Sequence, residues 1–298
     1  MNSILVVRNT RLVLTMLPTL LLIACGGGGS GDGGASDSTV RYTGIAENAA
    51  ITEQSAETLI NGAYMGMPDD ATIPISTHST AEVRAVPSIQ TNASQNFLPL
   101  SGAFKDVTAY LSTVHEIQPQ TVQTESEVIY GSCGGSATIT IHIDDSNGDF
   151  NGAMQSNDYC EGNTIIIGTI SFSGSIDLDT LEQNSINTVS NYLVKDNNTG
   201  KVYKVENISM SLITFASYVE MSIQGGRYYH PDYGYVVPET AQPFVQYVGD
   251  IMPSSGELII TGAQQSQAKL TVHSINDVEI TADTDGDGVF EWSSGNLN

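Results

Sequence analysis

The sequence predicts a mainly β fold, an antiparallel meander, from three observations. Apolar and polar side chains alternate from about residue 126, as in "SATITIHIDD", where Ile139, Ile141 and Ile143 share one face. Short turns rich in Asn, Asp and Gly separate consecutive alternating stretches, which favours hairpins between neighbouring strands. Glycines recur inside the long stretch "IIIGTISFSGSIDL", and glycine within a strand permits tight bending. We therefore expect a curved sheet, an incomplete barrel or a two-sheet sandwich.

Two helices are expected before the strands. Residues 45–67 carry apolar side chains at helical spacing, with Thr52 as a plausible N-cap and Gly62 or Gly66, followed by a proline, as the stop. Residues 102–117 repeat the helical spacing and end before another proline. Both helices would pack on the sheet, because an amphipathic element has to bury its apolar side.

The first 24 residues have the pattern of a bacterial lipoprotein signal peptide. Two arginines precede a short apolar run that ends in "LIAC", which resembles a lipobox and is too short to span a bilayer. Cys25 would become the lipidated first residue, and the glycine- and serine-rich stretch at 25–39 would be a flexible tether. The rest of the chain, 40–298, would then form a single β-rich domain.

The residue after the lipidated cysteine bears on localisation. Gly26 stands there rather than Asp, and by resemblance to the sorting of such lipoproteins we expect the outer membrane, with its face left open. The membrane would be contacted through the lipid anchor. Nucleic acid is excluded as a partner, because a net charge of −23 repels a phosphate backbone.

Two cysteines remain once Cys25 is lipidated. In an oxidising compartment, Cys133 and Cys160 are most simply a disulfide. Neither cysteine lies in a motif with histidine or acidic residues at metal-binding spacing. The bond would contribute roughly 3.5 kcal/mol in the chain-entropy model.

Three stretches together resemble a family of uncharacterised exported lipoproteins of Gram-negative bacteria. They are the "YTG…AITEQSA" segment near residue 41, the "CGGS" strand with its later "YC", and the terminal "DTDGDG". The resemblance covers most of residues 41–292 and departs at Ser55, where an asparagine is usual. It implies one domain and the pairing of the two cysteines, and it implies no activity.

The stretch "TADTDGDGVFEW" is the clearest candidate metal site. Asp283, Asp285 and Asp287 occupy loop positions 1, 3 and 5, where oxygen ligands suit calcium, and Glu291 can contribute at position 9. Ser294 stands where an EF-hand carries its bidentate glutamate, and the flanks are strands. Calcium in a looser hairpin loop and a bare Asp–Gly turn both stay open. A second acidic turn has poorer spacing and consists of Asp144, Asp145, Asn147, Asp149 and Asn151.

The stretch "RYYHPDYGY" is a weaker candidate for ligand binding. Its aromatic side chains could form a platform for a glycan or peptide, or pack across a hairpin. They are Tyr228, Tyr229, His230, Tyr233 and Tyr235.

Catalytic motifs are missing from the sequence. The five histidines are scattered, and no G-x-S-x-G, H-E-x-x-H or phosphate loop occurs. We expect a lipid-anchored envelope protein that acts by binding or as a structural component, with a protein, glycan or lipid ligand. The alternative is a surface or periplasmic hydrolase whose site assembles only in space.

Overall fold

A computed structural model describes residues 40–66, 122–144, 146–177, 183–250 and 252–296. These residues belong to one compact unit, Ser38–Asn298. They form one antiparallel sheet of thirteen strands and a single α-helix. The second predicted helix, at 102–117, lies outside the described residues, as do the predicted signal peptide and the predicted tether.

The helix α1 spans Ala56–Met65 and a short 3₁₀ turn spans Ala263–Gln265. The strands are β1 (Val122–Tyr130), β2 (Gly134–Asp144), β3 (Asp149–Glu161), β4 (Thr164–Ile176), β5 (Gln183–Asp196), β6 (Val202–Thr214), β7 (Tyr218–Gln224), β8 (Arg227–His230), β9 (Gly234–Tyr247), β10 (Ser255–Thr261), β11 (Gln267–Ser274), β12 (Asp277–Asp283) and β13 (Trp292–Asn296).

Sequence neighbours pair along almost the whole sheet, so the predicted meander is confirmed. Among the described strands, the one departure from this order is at β7 and β8, which lie end to end and together occupy one position in the sheet. The first part of β6 pairs with β8 and its second part with β7, and Gly226 and Asn207, both at positive φ, lie at the break. The order runs from β1 to β13 without closing, so the sheet is not a closed barrel.

Alternation fixes which side of each strand is buried. Along β2, Ile139, Ile141 and Ile143 are buried and the intervening residues are partly exposed, as the sequence predicted. Glycines and phenylalanines pair across strands: Phe150 lies opposite Gly174, and Phe172 lies opposite Gly152. A Cβ on either glycine would meet the opposite ring at 2.5–2.6 Å, so each glycine makes room for a core aromatic.

The first predicted helix is shorter than the sequence indicated. It covers Ala56–Met65 rather than 45–67, and Gly66 ends it with a left-handed φ of 63°. The preceding residues instead bond to β9 and to the 3₁₀ turn, with Ala49 N donating to Tyr235 O at 2.8 Å and Ala263 N donating to Ala49 O at 2.7 Å. These tertiary hydrogen bonds override the helical spacing.

The core is a continuous apolar cluster on the inner side of the sheet, to which α1 contributes. Leu59 and Ile60 are buried, and the ring of Tyr64 lies 5.0 Å from that of Phe244 on β9. At the end of the helix, the hydroxyl of Tyr192 on β5 donates to Gly66 O at 3.1 Å.

The predicted disulfide is present. Cys133 precedes β2 and is bonded to Cys160 near the end of β3, with a Cα–Cα distance of 5.2 Å. Within the described ranges, no helix is long and apolar enough to cross a membrane.

Candidate functional site

The acidic loop, residues 283–291, connects β12 to β13 and brings its four predicted ligands together. Carboxylate oxygens of Asp283, Asp285, Asp287 and Glu291 all lie within 4.8 Å of one another. It is the one such group of histidine, cysteine and acidic side chains among the described residues. The acidic residues that are regularly spaced in the sequence therefore form one cluster of side chains in the structure.

Backbone N–H groups of the loop itself orient the aspartates. Asp285 Oδ1 accepts from Asp287 N at 3.2 Å, and Asp287 Oδ1 accepts from Val289 N at 2.8 Å. In each of these two turns, a backbone N–H group donates to one carboxylate oxygen of the aspartate, and the second oxygen can point towards the neighbouring carboxylates. Glu291 Oε2 closes the loop by accepting from Thr284 N at 3.3 Å.

Asp283 anchors the loop. Its side chain is only 1% exposed, and its two oxygens accept from Gly286 N at 2.7 Å and Gly288 N at 2.8 Å. Both glycines have positive φ, 78° and 88°, which a side chain would strain. Two backbone donors offset part of the cost of burying this carboxylate.

The neighbouring segment 264–266 packs against the acidic loop. A Cβ on Gly286 would lie 2.3 Å from the carbonyl oxygen of Gln264, so the two backbones are in direct contact. Gln264 and Gln265 both have positive φ, and Ser266 Oγ accepts from Ile51 N at 3.1 Å. The sequence did not predict these contacts, because only the fold brings residue 51 to residue 266 and the 264–266 segment to the acidic loop.

Among the described residues, no cationic side chain pairs with the cluster. Across the described parts of the chain, none of its four carboxylates forms an ion pair. Lys269 is close to the loop, but its Nζ lies 4.9 Å from the ring centroid of Phe290 and 3.7 Å from Glu257 Oε2. Like charges therefore face one another without a counterion from the described residues.

The second acidic turn is arranged differently. Asp144 Oδ1 accepts one hydrogen bond from the Ser146 hydroxyl and another from Ser146 N, the latter at 2.9 Å. Both bonds lower the pKa of Asp144, and the bond from the hydroxyl contributes most. Asn147 Nδ2 donates to Asp149 Oδ2 at 2.8 Å. The polar groups are thus paired locally along the turn, and Asp145 lies outside the described residues.

The predicted tyrosine platform is divided between core and surface. Tyr228, Tyr229 and His230 are buried, whereas Tyr233 is 37% exposed and Tyr235 is half-buried. Tyr228 faces α1. Binding through the two more exposed tyrosines stays a prediction.

Tyr229 belongs to a charged network on the outer side of β6 and β8. Its hydroxyl donates to Glu206 Oε2 at 2.8 Å, and Lys204 Nζ donates to Glu206 Oε1 at 2.6 Å. The hydrogen bond from Lys204, followed by that from Tyr229, lowers the pKa of Glu206. The guanidinium of Arg227 stacks 4.6 Å from the ring centroid of Tyr235.

The described histidines do not come together. His142 lies on β2, His230 on β8 and His273 on β11, where its Nε2 is 3.5 Å from Glu279 Oε2. Comparison of the chain with protein-family models, with curated proteins and with solved structures gave no match.

Proposed function

We propose that the acidic loop is a calcium site that clamps the last hairpin of a lipid-anchored, non-enzymatic protein of the bacterial cell envelope. The convergence of four carboxylates without a counterion from the described part of the chain carries the metal part of this proposal. The lipobox-like "LIAC" and the glycine-rich stretch after it support the anchor.

The number of carboxylates favours calcium over magnesium. Four carboxylate oxygens lie within 4.8 Å of one another, a spread that a calcium ion with oxygen distances of about 2.3–2.6 Å can bridge. Magnesium dehydrates reluctantly, keeps several waters and is usually held by only one or two carboxylates. The four side chains fall short of the 6–8 oxygens that calcium takes, so the Val289 carbonyl and water would complete the shell.

The clamp would act on the edge of the sheet. β13 is the last strand in the sheet order and pairs with β12 at only a few positions. A cation held between Asp283, at the end of β12, and Glu291, next to the start of β13, links the two strands. Extracellular calcium modules typically have dissociation constants of about 10⁻⁴–10⁻³ M, which sets the affinity we expect.

Thermal unfolding of the full chain, with calcium or with chelator, tests the metal site. Calcium at about 100 times its dissociation constant adds about 2.7 kcal/mol to the free energy of unfolding, which raises Tm by roughly 5–10 °C. Asp285→Ala should abolish the rise, since it removes an exposed ligand oxygen that asparagine would partly keep. Asp149→Ala, in the other acidic turn, is the matched control and should leave the rise intact.

The proposal fails if calcium at about 10–100 mM, which is 100 times the expected dissociation constant, does not shift Tm, or if Asp285→Ala leaves the shift unchanged. An equal shift with magnesium would contradict the choice of calcium. The anchor is tested separately: Cys25→Ser should release the protein from the membrane fraction, and mass spectrometry should find acyl chains on Cys25. A membrane-bound Cys25→Ser protein would refute the anchor and leave the calcium test untouched.

A further inference from the structure

The outer side of β2–β5 carries a shallow trough that runs across the strands. It encloses about 470 Å³. Strand register places the outward residues in rows, so that His142 lies opposite Asn151, Asn151 opposite Ser173, and Ser173 opposite Asn187. Because neighbouring strands are about 4.8 Å apart, such a row presents one polar group per strand at a regular spacing.

Small side chains create the depression. Gly152, Ala153 and Ser171 lie in its middle, and the ring of Phe172 is buried on the inner side. The hydrogen-bonding groups come from six side chains: Thr140, His142, Asn151, Ser171, Ser173 and Asn187. The row that begins at His142 continues onto β1, where Thr124 Oγ1 lies 2.7 Å from His142 Nδ1. This contact fixes the imidazole ring at one edge of the trough.

Carboxylate, ammonium and guanidinium groups are missing from the lining of the trough. Among the described residues that line it there is no Asp, Glu, Lys or Arg, although the chain has 33 acidic residues and 10 lysines and arginines. The outward side of the other half of the same sheet is different, since Glu257 on β10 forms an ion pair with Lys269 on β11, and Glu279 on β12 lies 3.5 Å from His273. An outward sheet face that served only for solubility would be expected to carry such charges in both halves.

We propose that this trough binds a neutral glycan chain lying across the strands. Hydroxyl, amide and imidazole groups can donate to and accept from sugar hydroxyls, and the uncharged lining imposes no ionic requirement. A drug-like apolar ligand fits poorly, because the trough is shallow and open, whereas such ligands occupy clefts or cavities that bury most of their surface. An anionic polysaccharide is disfavoured by the strongly negative chain, since no lysine or arginine is among the described residues that line the trough.

The test uses the purified full chain and three soluble probes: chitotetraose and maltohexaose, which are neutral, and an oligogalacturonate, which is acidic. Binding is followed by saturation-transfer NMR and by calorimetry at millimolar probe. We expect at least one neutral probe to bind and the acidic probe not to bind. Asn187→Ala should weaken binding roughly fivefold, as expected for one lost hydrogen bond.

A blocking substitution locates the site. Ser171→Tyr would fill the middle of the trough and should abolish binding, whereas Thr271→Tyr on β11, outside the trough, should leave binding unchanged. Circular dichroism and Tm identify any variant that fails to fold, in which case Ala153→Leu is the second blocking variant. Failure of both neutral probes to bind, binding that survives the blocking variant, or equal binding of the acidic probe would each overturn the proposal. Calcium and chelator are tested in parallel, so that this outcome is separate from that of the acidic loop.

Discussion

Replacing Gly62 by alanine sets two opposing effects against one another within α1. In the interior of a helix, glycine is less favourable than alanine by about 1 kcal/mol, so helix propensity alone predicts that Gly62→Ala stabilises the protein. In this structure, however, a Cβ at position 62 would lie 2.4 Å from Cζ of Tyr228 and 2.3 Å from its hydroxyl oxygen. Contacts this short require the ring or the helix to move.

The ring has little freedom to move. Tyr228 is 0% exposed, and its ring lies 6.5 Å from that of Tyr203 in a stacked arrangement. Overpacking a well-filled core typically costs about 1–3 kcal/mol, and contact with a rigid aromatic belongs at the upper end of that range. Subtracting the propensity gain of about 1 kcal/mol leaves Gly62→Ala destabilising by about 2 kcal/mol.

Equilibrium urea unfolding and thermal melts measure this difference. We expect Tm to fall by roughly 4–8 °C. The exposed helix residue Glu57 provides the control, since Glu57→Ala touches no core side chain and should change stability by less than about 0.5 kcal/mol. Tyr228→Ala is destabilising by itself, but in that background Gly62→Ala should become neutral or stabilising. If Gly62→Ala raises Tm in the native background, the argument from the Tyr228 contact is refuted.

Three further predictions follow from buried or linked groups. The Thr188 hydroxyl is buried and has no hydrogen-bond partner among the described residues, so Thr188→Val should raise the free energy of unfolding by about 1–3 kcal/mol, measured in urea; a loss would refute this. Reducing the Cys133–Cys160 bond should lower stability by about 3.5 kcal/mol, and an unchanged Tm in reductant would contradict it. The pKa of Glu206 is lowered in the folded protein, so its carboxylate stabilises the fold at pH values above 4.5, the ordinary pKa of the group. This contribution is lost as pH falls through the folded pKa. Glu206→Gln should therefore be less stable than the native chain at pH 7 and equal to it in strong acid, as pH-dependent melts can show.

The sequence predicted those features that depend on local pattern. Alternation identified the buried face of β2, and the cysteines and the acidic loop were found from residue type and spacing alone. Prediction from the sequence failed for features that depend on tertiary contacts. Gly62 and Gly66 were equivalent candidates for the helix end, but Gly62 makes room for Tyr228 and only Gly66 has the left-handed backbone of a helix terminus. Likewise, the trough depends on which residues face one another across four strands, and this register is not visible within any one strand.

The hydrogen bonds of the acidic loop bear on what calcium would contribute. Asp283 accepts two backbone N–H groups, and Asp285 and Asp287 each accept one, so hydrogen bonds within the loop contribute to its shape. A loop held by its own hydrogen bonds loses less conformational entropy when it binds an ion. The residues of the apolar core lie outside this loop. What binding relieves is repulsion among four carboxylates, and three of these are exposed to screening solvent. Calcium should therefore stabilise an already folded protein by mass action, in contrast to small metal-dependent domains that are unfolded without their ion.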